Sequence, residues 1–156
     1  MATINTKVSS VRVYATGDSI RYRVVFFDTF PGIIKNENDD YVESEVNYVD
    51  FIPSVIIAQA IELIPGLSLL YNKKKEQAIR TGESNGFGAA ELLVILADAK
   101  ITFEREKFDV GDEYTDANDV VYQHEHAGYR TTIKEIVVRD RIQQKLDGMI
   151  DKMFDI

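Results

Sequence analysis

The sequence predicts a mainly-β fold with helices, and three observations carry that expectation. Stretches such as VRVYA, SIRYRVVFF and KITFEREKF alternate apolar and polar residues at the period of a strand. The long apolar segment PSVIIAQAIELIPGLSLLY does not alternate; Gln59, Glu62 and Pro65 interrupt it, and a buried helix pair fits it better than a membrane span. The end of the chain, RDRIQQKLDGMIDKMFDI, sets Ile142, Leu146, Met149, Ile150 and Met153 at helical spacing.

The first strand is expected over residues 11–15, with Val11, Val13 and Ala15 on one face and Arg12 and Tyr14 on the other. TGDS then supplies a tight turn. In the second strand Ile20, Tyr22, Val24 and Phe26 share a face opposite Arg21, Arg23, Val25 and Phe27, and Pro31-Gly32 should end it. The acidic run at 35–45 reads as a loop into a third strand over 42–52. Pro53-Ser54 opens a helix with Ser54 as its cap. A second helix follows the Pro65-Gly66 break, and AAELLVILADA reads as a short third helix after the GESNGFG loop, although LLVIL alone also fits a strand. Residues 100–108 form the fourth strand. DVGDEYTDAND is a solvated hairpin arm, VVYQHEHAGYR and TTIKEIVV return as strand, and a helix over 139–156 closes the chain.

Three strands, a helical insertion over 54–98, two strands and a final helix is the order of a five-stranded OB-like barrel. The alternative is an α+β arrangement, an antiparallel sheet with a helix layer. The 156 residues, 45% of them hydrophobic, suit a single domain of this size.

Composition narrows the function classes. A net charge of −8 counts against a generic nucleic-acid binder, although a locally positive groove is compatible with acids elsewhere. The absence of cysteine removes thiolate metal sites and disulfides. The N-terminal MATINTKVSSVRVY has no apolar signal core, so a cytoplasmic protein without a membrane partner is expected. There is no G-x-S-x-G elbow and no phosphate-cradling G-x-x-x-x-G-K, so no enzyme and no cofactor are expected.

His124 and His126 stand one residue apart in YQHEHAGYR. On a strand they project to one face, about 6–7 Å apart. A metal would need further ligands from Asp112, Glu113 or Asp116, and exposed hairpin residues are the preferred reading. The acidic arm fails the calcium-loop template, with Val120 where the bidentate glutamate should stand.

The pattern that points to chemistry is basic residues interleaved with rings on strands. Arg12 and Tyr14, then Arg21, Arg23 and Phe27, then Arg105 and Lys107 each share a strand face. Tyr122, His124, Tyr129, Arg130 and Lys134 sit on or beside the late hairpin. Cations track phosphates and rings stack on bases, the chemistry that holds single-stranded nucleic acid. Phe26 and Phe103 are read as core; for Tyr14, Arg21 and Arg23 a solvated face competes evenly with a binding face.

The hairpin VRVYATGDSIRYRVVFF, the stretch AKITFEREKFDVGDEYTD and YQHEHAGYRTTIKEIVV together resemble a phage-type single-stranded DNA-binding protein with an OB fold, over about two thirds of the chain. The resemblance implies coating of unwound DNA in replication or recombination, without catalysis and without strong sequence preference, in the host cytoplasm if the source is viral. In that family an acidic C-terminal tail near an aromatic recruits replication proteins; Asp151, Phe154 and Asp155 match it loosely, and here the tail looks helical. The rival expectation is a structural or assembly protein, a virion or accessory component that forms a homo-oligomer.

Overall fold

The structure, a computed structural model, describes the backbone of residues 2–81 and 88–154, and the side chains of 2–15, 17–73, 76 and 88–150. The elements are β1 (Ala2–Thr16), β2 (Ser19–Lys35), β3 (Tyr41–Phe51), α1 (Pro53–Leu63), α2 (Leu67–Thr81), α3 (Ala89–Leu96), β4 (Lys100–Phe108), β5 (Glu113–Thr115), β6 (Val121–Gln123), β7 (Gly128–Val137) and α4 (Asp140–Phe154). Five strands form one antiparallel sheet in the order β3-β2-β1-β4-β7, and β5 and β6 form a separate two-stranded arm.

β1 belongs to both halves of the sheet. Residues 2–7 pair with β4, and residues 8–16 pair with β2. The changeover is a bulge: Val8 faces Phe26 while Ser10 faces Val25, which leaves Ser9 as the extra residue. The bulge moves the inward set from Thr6 and Val8 to Val11. It also frees Val8 to bond elsewhere: its N–H donates to Ala99 O (2.9 Å), and its carbonyl accepts from Asp98 N (3.0 Å). These bonds tie the α3–β4 junction to the bend of β1.

The inner face of the sheet carries Val24, Phe26, Phe30, Val46, Val49, Phe51, Ile101, Phe103 and Ile133, all buried. Phe26, Phe30 and Phe103 form a ring cluster with centroids 5.2–5.7 Å apart. Ile56, Ala60, Ile64, Leu67, Leu92, Leu96 and Leu146 bring the helices to the same core. Phe26 and Phe103 are core as expected. Among the described residues no helix is long and apolar enough to cross a membrane.

Several expectations are corrected. Among the described residues no ladder joins β3 to β7, so the sheet is open along that seam and no closed barrel forms. Side chains occupy the seam instead of backbone pairs: Tyr41, Arg105, His126 and Tyr129 line a cleft between the two edge strands. β1 begins near the N-terminus, nine residues before the alternation at Val11 becomes visible, because its first half runs TINTKVSS with few apolar residues. Pro31-Gly32 does not end β2: Pro31 pairs with Glu45 and Gly32 with Ser44, and a Cβ on Gly32 would lie 2.5 Å from a Val46 methyl. The loop before β3 shrinks to residues 36–40, where the Asn36 side chain accepts from the N–H groups of Asn38 and Asp40. Ser54 is not a cap; Ile52 holds that position without a side-chain bond and Pro53 opens the helix. Of the GESNGFG loop at 82–88, residues 82–87 lie outside the described residues, and Gly88 is the N-cap of α3.

Candidate nucleic-acid interface

The expected site residues fall into two groups and three outliers. The first group is on the outer face of β1, β2 and β3, where the register sets Arg12 opposite Arg23, Tyr14 opposite Arg21, and Arg23 opposite Asp50. The Arg23 guanidinium lies between two rings, 4.0 Å from the centroid of Tyr14 and 4.0 Å from that of Tyr48. Its Nε and Nη2 donate to the two Asp50 oxygens at 2.8 and 3.0 Å. This bidentate bond is the main reason its pKa is raised. Arg23 is therefore a structural cation. Arg12 and Arg21 have no acid partner among the described residues, and Arg21 donates only to the carbonyl of Ile20. The free charge of this face sits on those two side chains, beside the exposed ring of Tyr14.

The second group surrounds the arm that leaves β4 at Phe108 and returns to β7 at Gly128. Asp116 Oδ1 accepts from Asn118 N and Val120 N, and Asp119 takes the left-handed conformation that closes the turn. Tyr114 and Tyr122 are cross-strand partners with centroids 5.6 Å apart. The ladder ends one pair further, at Glu113 and Gln123: His124 and His126 lie in the connection to β7 and not on a strand, so they do not share a strand face. His124 stacks on Phe108 at 3.7 Å and meets Tyr114 at 4.4 Å. His126 stacks on Tyr41 at 3.9 Å, which fastens the arm to the start of β3. Among the described residues no three metal-ligating side chains converge.

Between the arm and the outer face of β4 and β7 lies a groove of about 660 Å³. Phe108, Tyr114, His124 and Tyr129 supply its rings, and Lys107 and Arg130 its cations. Gly128 shapes it in a way the sequence does not suggest. The glycine pairs with Phe108, and a Cβ on it would lie 2.6 Å from the Phe108 ring. The missing side chain is what lets the ring lie across β7.

The charges of the groove are mostly satisfied. Lys107 donates to Glu43, which is the first cause of its raised pKa, and lies 3.9 Å from Asp109. Arg130 donates to Glu106 at 2.6 Å. Glu106, Asp112 and Glu113 line the groove as well.

Three expected residues lie elsewhere. Phe27 is exposed in the β2 bulge, apart from both groups. Lys134 is the bulged residue of β7 and pairs with Glu104 at 3.7 Å. Arg105 is corrected outright: it is 8% exposed, on the inner face that carries Ile101 and Phe103. Those two residues share its parity in KITFEREKF, so the sequence held the signal. Sequence reading also missed Phe108, Tyr114, Tyr41 and Tyr48. Phe108 shares parity with Glu104 and Glu106, and a ring among outward acids marks a surface role. The docking tip of Asp151, Phe154 and Asp155 lies outside the described residues: no side chain is described beyond Ile150. No family model matches the chain, and no curated protein or solved structure is detectably similar to it.

Proposed function

We propose that the protein binds single-stranded nucleic acid, DNA first, with little sequence preference and without catalysis, to protect it during replication or recombination. The observation that carries this reading is the run of rings Phe108, His124, Tyr114 and Tyr122 along the arm, with Arg130 at the groove that the first three line. Every base has a face to stack, so such a run serves any sequence. The strand order adds support. A sheet β3-β2-β1-β4-β7 with β1 shared by both halves, and helices between its third and fourth long strands, matches a five-stranded OB barrel opened between the third and the last. In that fold the loop between the last two strands flanks the ligand, and here this loop is the arm.

Rings carry more of this reading than charge does. A phosphate must displace Glu43 from Lys107 or Glu106 from Arg130; apart from the buried Arg105, Arg12 and Arg21 are the expected contacts without an acid partner among the described residues. Two cations that neutralise phosphates and release the strand's counterions give a log–log salt slope of about −1 to −2 for a single strand. The test is fluorescence anisotropy of labelled oligo-dT at two salt concentrations. Saturable binding that weakens modestly with salt is expected; no binding at low salt ends the proposal.

A second reading has an observation of its own. Val13 and Ile20 belong to the inner face of the β1–β2 hairpin yet are 59% and 55% exposed, with Ile52 and Val55 also exposed. A self-assembling structural protein would cover them. Light scattering over a concentration series separates the two, since an assembly role requires an oligomer that Ile20→Asp dissolves and no affinity for oligo-dT.

A further inference from the structure

Arg105 is a buried cation without a counterion. Its Nη1 donates to Thr131 Oγ1 at 2.7 Å and its Nη2 to the carbonyl of Pro31 at 3.1 Å. Among the described residues no carboxylate pairs with it, and its Nε has no partner. The rings of Phe30 and Tyr129 flank the guanidinium at 5.1 and 4.7 Å. In a chain with 26 acidic residues, Lys107 two positions on along the same strand and the half-buried Arg23 have each found one. Buried donors are almost always bonded, and buried charges almost always paired.

Arg105 lies in the cleft between β3 and β7, about 290 Å³ in volume. Tyr41, Tyr48, His126, Tyr129 and Thr131 line the same cleft. The only acid on its wall is Asp50, which Arg23 already holds in a bidentate pair. The volume stands at the lower end of small-molecule sites, the scale of one nucleotide rather than a polymer. Its chemistry is one planar cationic fork, the hydroxyls of Thr131 and three tyrosines, and several ring faces, which suits a ligand that joins an anion to a flat ring.

We propose that the seam cleft is a separate site for a nucleoside monophosphate, with Arg105 as the residue that binds its phosphate. The cleft lies along the seam, between Arg105 of the core face and Tyr48 of the outer face, while the arm groove lies against the outer face of β4 and β7, and Tyr129 is the one ring that lines both. Arg105 keeps its proton throughout: burial lowers its pKa, but a guanidinium stays charged in proteins. The phosphate gives the orphaned fork its missing anion, and the base has Tyr48 or Tyr129 to lie against.

The test is calorimetric titration of the full chain with thymidine 5′-monophosphate, thymidine and inorganic phosphate, for the wild type, Arg105→Met and Arg105→Lys. The nucleotide is expected to bind on the order of 10- to 100-fold more tightly than thymidine, the worth of a charge-assisted bond. Arg105→Met should lose that margin and Arg105→Lys keep part of it. Phosphate alone should bind weakly and compete with the nucleotide. Equal affinity for nucleotide and nucleoside, no binding of either, or an Arg105→Met protein that binds like the wild type overturns the proposal. The Nε–H resonance of Arg105 in the wild-type protein gives a reading that needs no variant: it should shift with the nucleotide and stay still with thymidine, and an unmoved signal at saturation also overturns it. Oligo-dT affinity is measured in parallel. It should fall in Tyr114→Ala and stay unchanged in Arg105→Met, so failure at one site is distinguishable from failure at the other.

Discussion

The Phe108 ring and the His124 imidazole lie face to face, with centroids 3.7 Å apart and planes 13° from parallel. This contact holds the arm to the sheet. Backbone bonds continue it, from Gly111 N to His124 O at 2.8 Å and from His124 N to Asp112 O at 2.9 Å. Gly128 also approaches this ring, and its missing side chain makes room for it.

Gly128→Ala should therefore loosen the arm. The new Cβ would lie 2.6 Å from Phe108 Cζ, and the ring is backed by His124, so one of the two must move. Crowding of this kind costs about 1–3 kcal/mol. Urea unfolding should show the loss, and the amides of Gly111 and His124 should exchange faster with solvent. An unchanged midpoint with unchanged exchange would show that the stack does not anchor the arm.

Much of the fold was legible because burial is one-sided. Val24 and Phe26 alternate with Arg23 and Val25, and Ile101 and Phe103 alternate with Thr102 and Glu104, so strands and core faces follow from parity. The α3 helix was legible from length and composition. What parity does not carry is long-range register. The bulge at Ser9, the passage of β2 through Pro31-Gly32 and the open seam depend on which strand lies alongside, not on local preference. The same limit applies to the site. Arg12, Tyr14, Arg21 and Arg23 could be placed on one face, but the pairing of Arg23 with Asp50 across 27 positions could not. Arg105 could have been read as inward from Ile101 and Phe103, yet a lone arginine on a core face has no precedent in local pattern, and its charge suggested the surface.

Tyr114→Ala isolates the contribution of the rings. Tyr114 is 43% exposed on a two-stranded arm, so its removal should leave the core untouched. It also stands between Tyr122 and His124 in the ring run. If bases stack there, oligo-dT affinity falls by about 1–3 kcal/mol while the unfolding midpoint stays nearly the same. Equal affinities would remove the arm from the binding surface.

Glu106→Gln tests whether the acids of the groove restrain binding. Glu106 accepts from Arg130 at 2.6 Å and lines the groove beside it. Neutralising it leaves the guanidinium free for a phosphate, and an exposed pair of this kind contributes only about 0–1 kcal/mol to stability. The variant should bind oligo-dT more tightly, and its salt slope should steepen by about 0.7, the increment for one more phosphate contact on a single strand. Weaker binding at low salt would mean that Glu106 orients Arg130 rather than competing for it.

The register on β1, β2 and β3 leads to a coupled prediction. Arg12 and Arg23 are direct cross-strand partners, and like charges in that relation repel. Asp50, on the far side of Arg23, offsets the repulsion with two hydrogen bonds. Asp50→Ala removes that offset and leaves a half-buried guanidinium between Tyr14 and Tyr48 with a cation opposite. The loss should be about 1.5–3 kcal/mol in unfolding free energy, the worth of bonds to a charged group. Arg12→Ala alone should change stability little, because the Asp50 pair already compensates the neighbouring charge. In the Asp50→Ala background, Arg12→Ala should restore part of the loss, since it removes the repulsion that is no longer offset. A double-mutant cycle reads this directly as a nonzero coupling energy. Strict additivity would mean that Asp50 acts only as a hydrogen-bond acceptor for Arg23, and that the charge facing it across the strand pair plays no part in holding this face together.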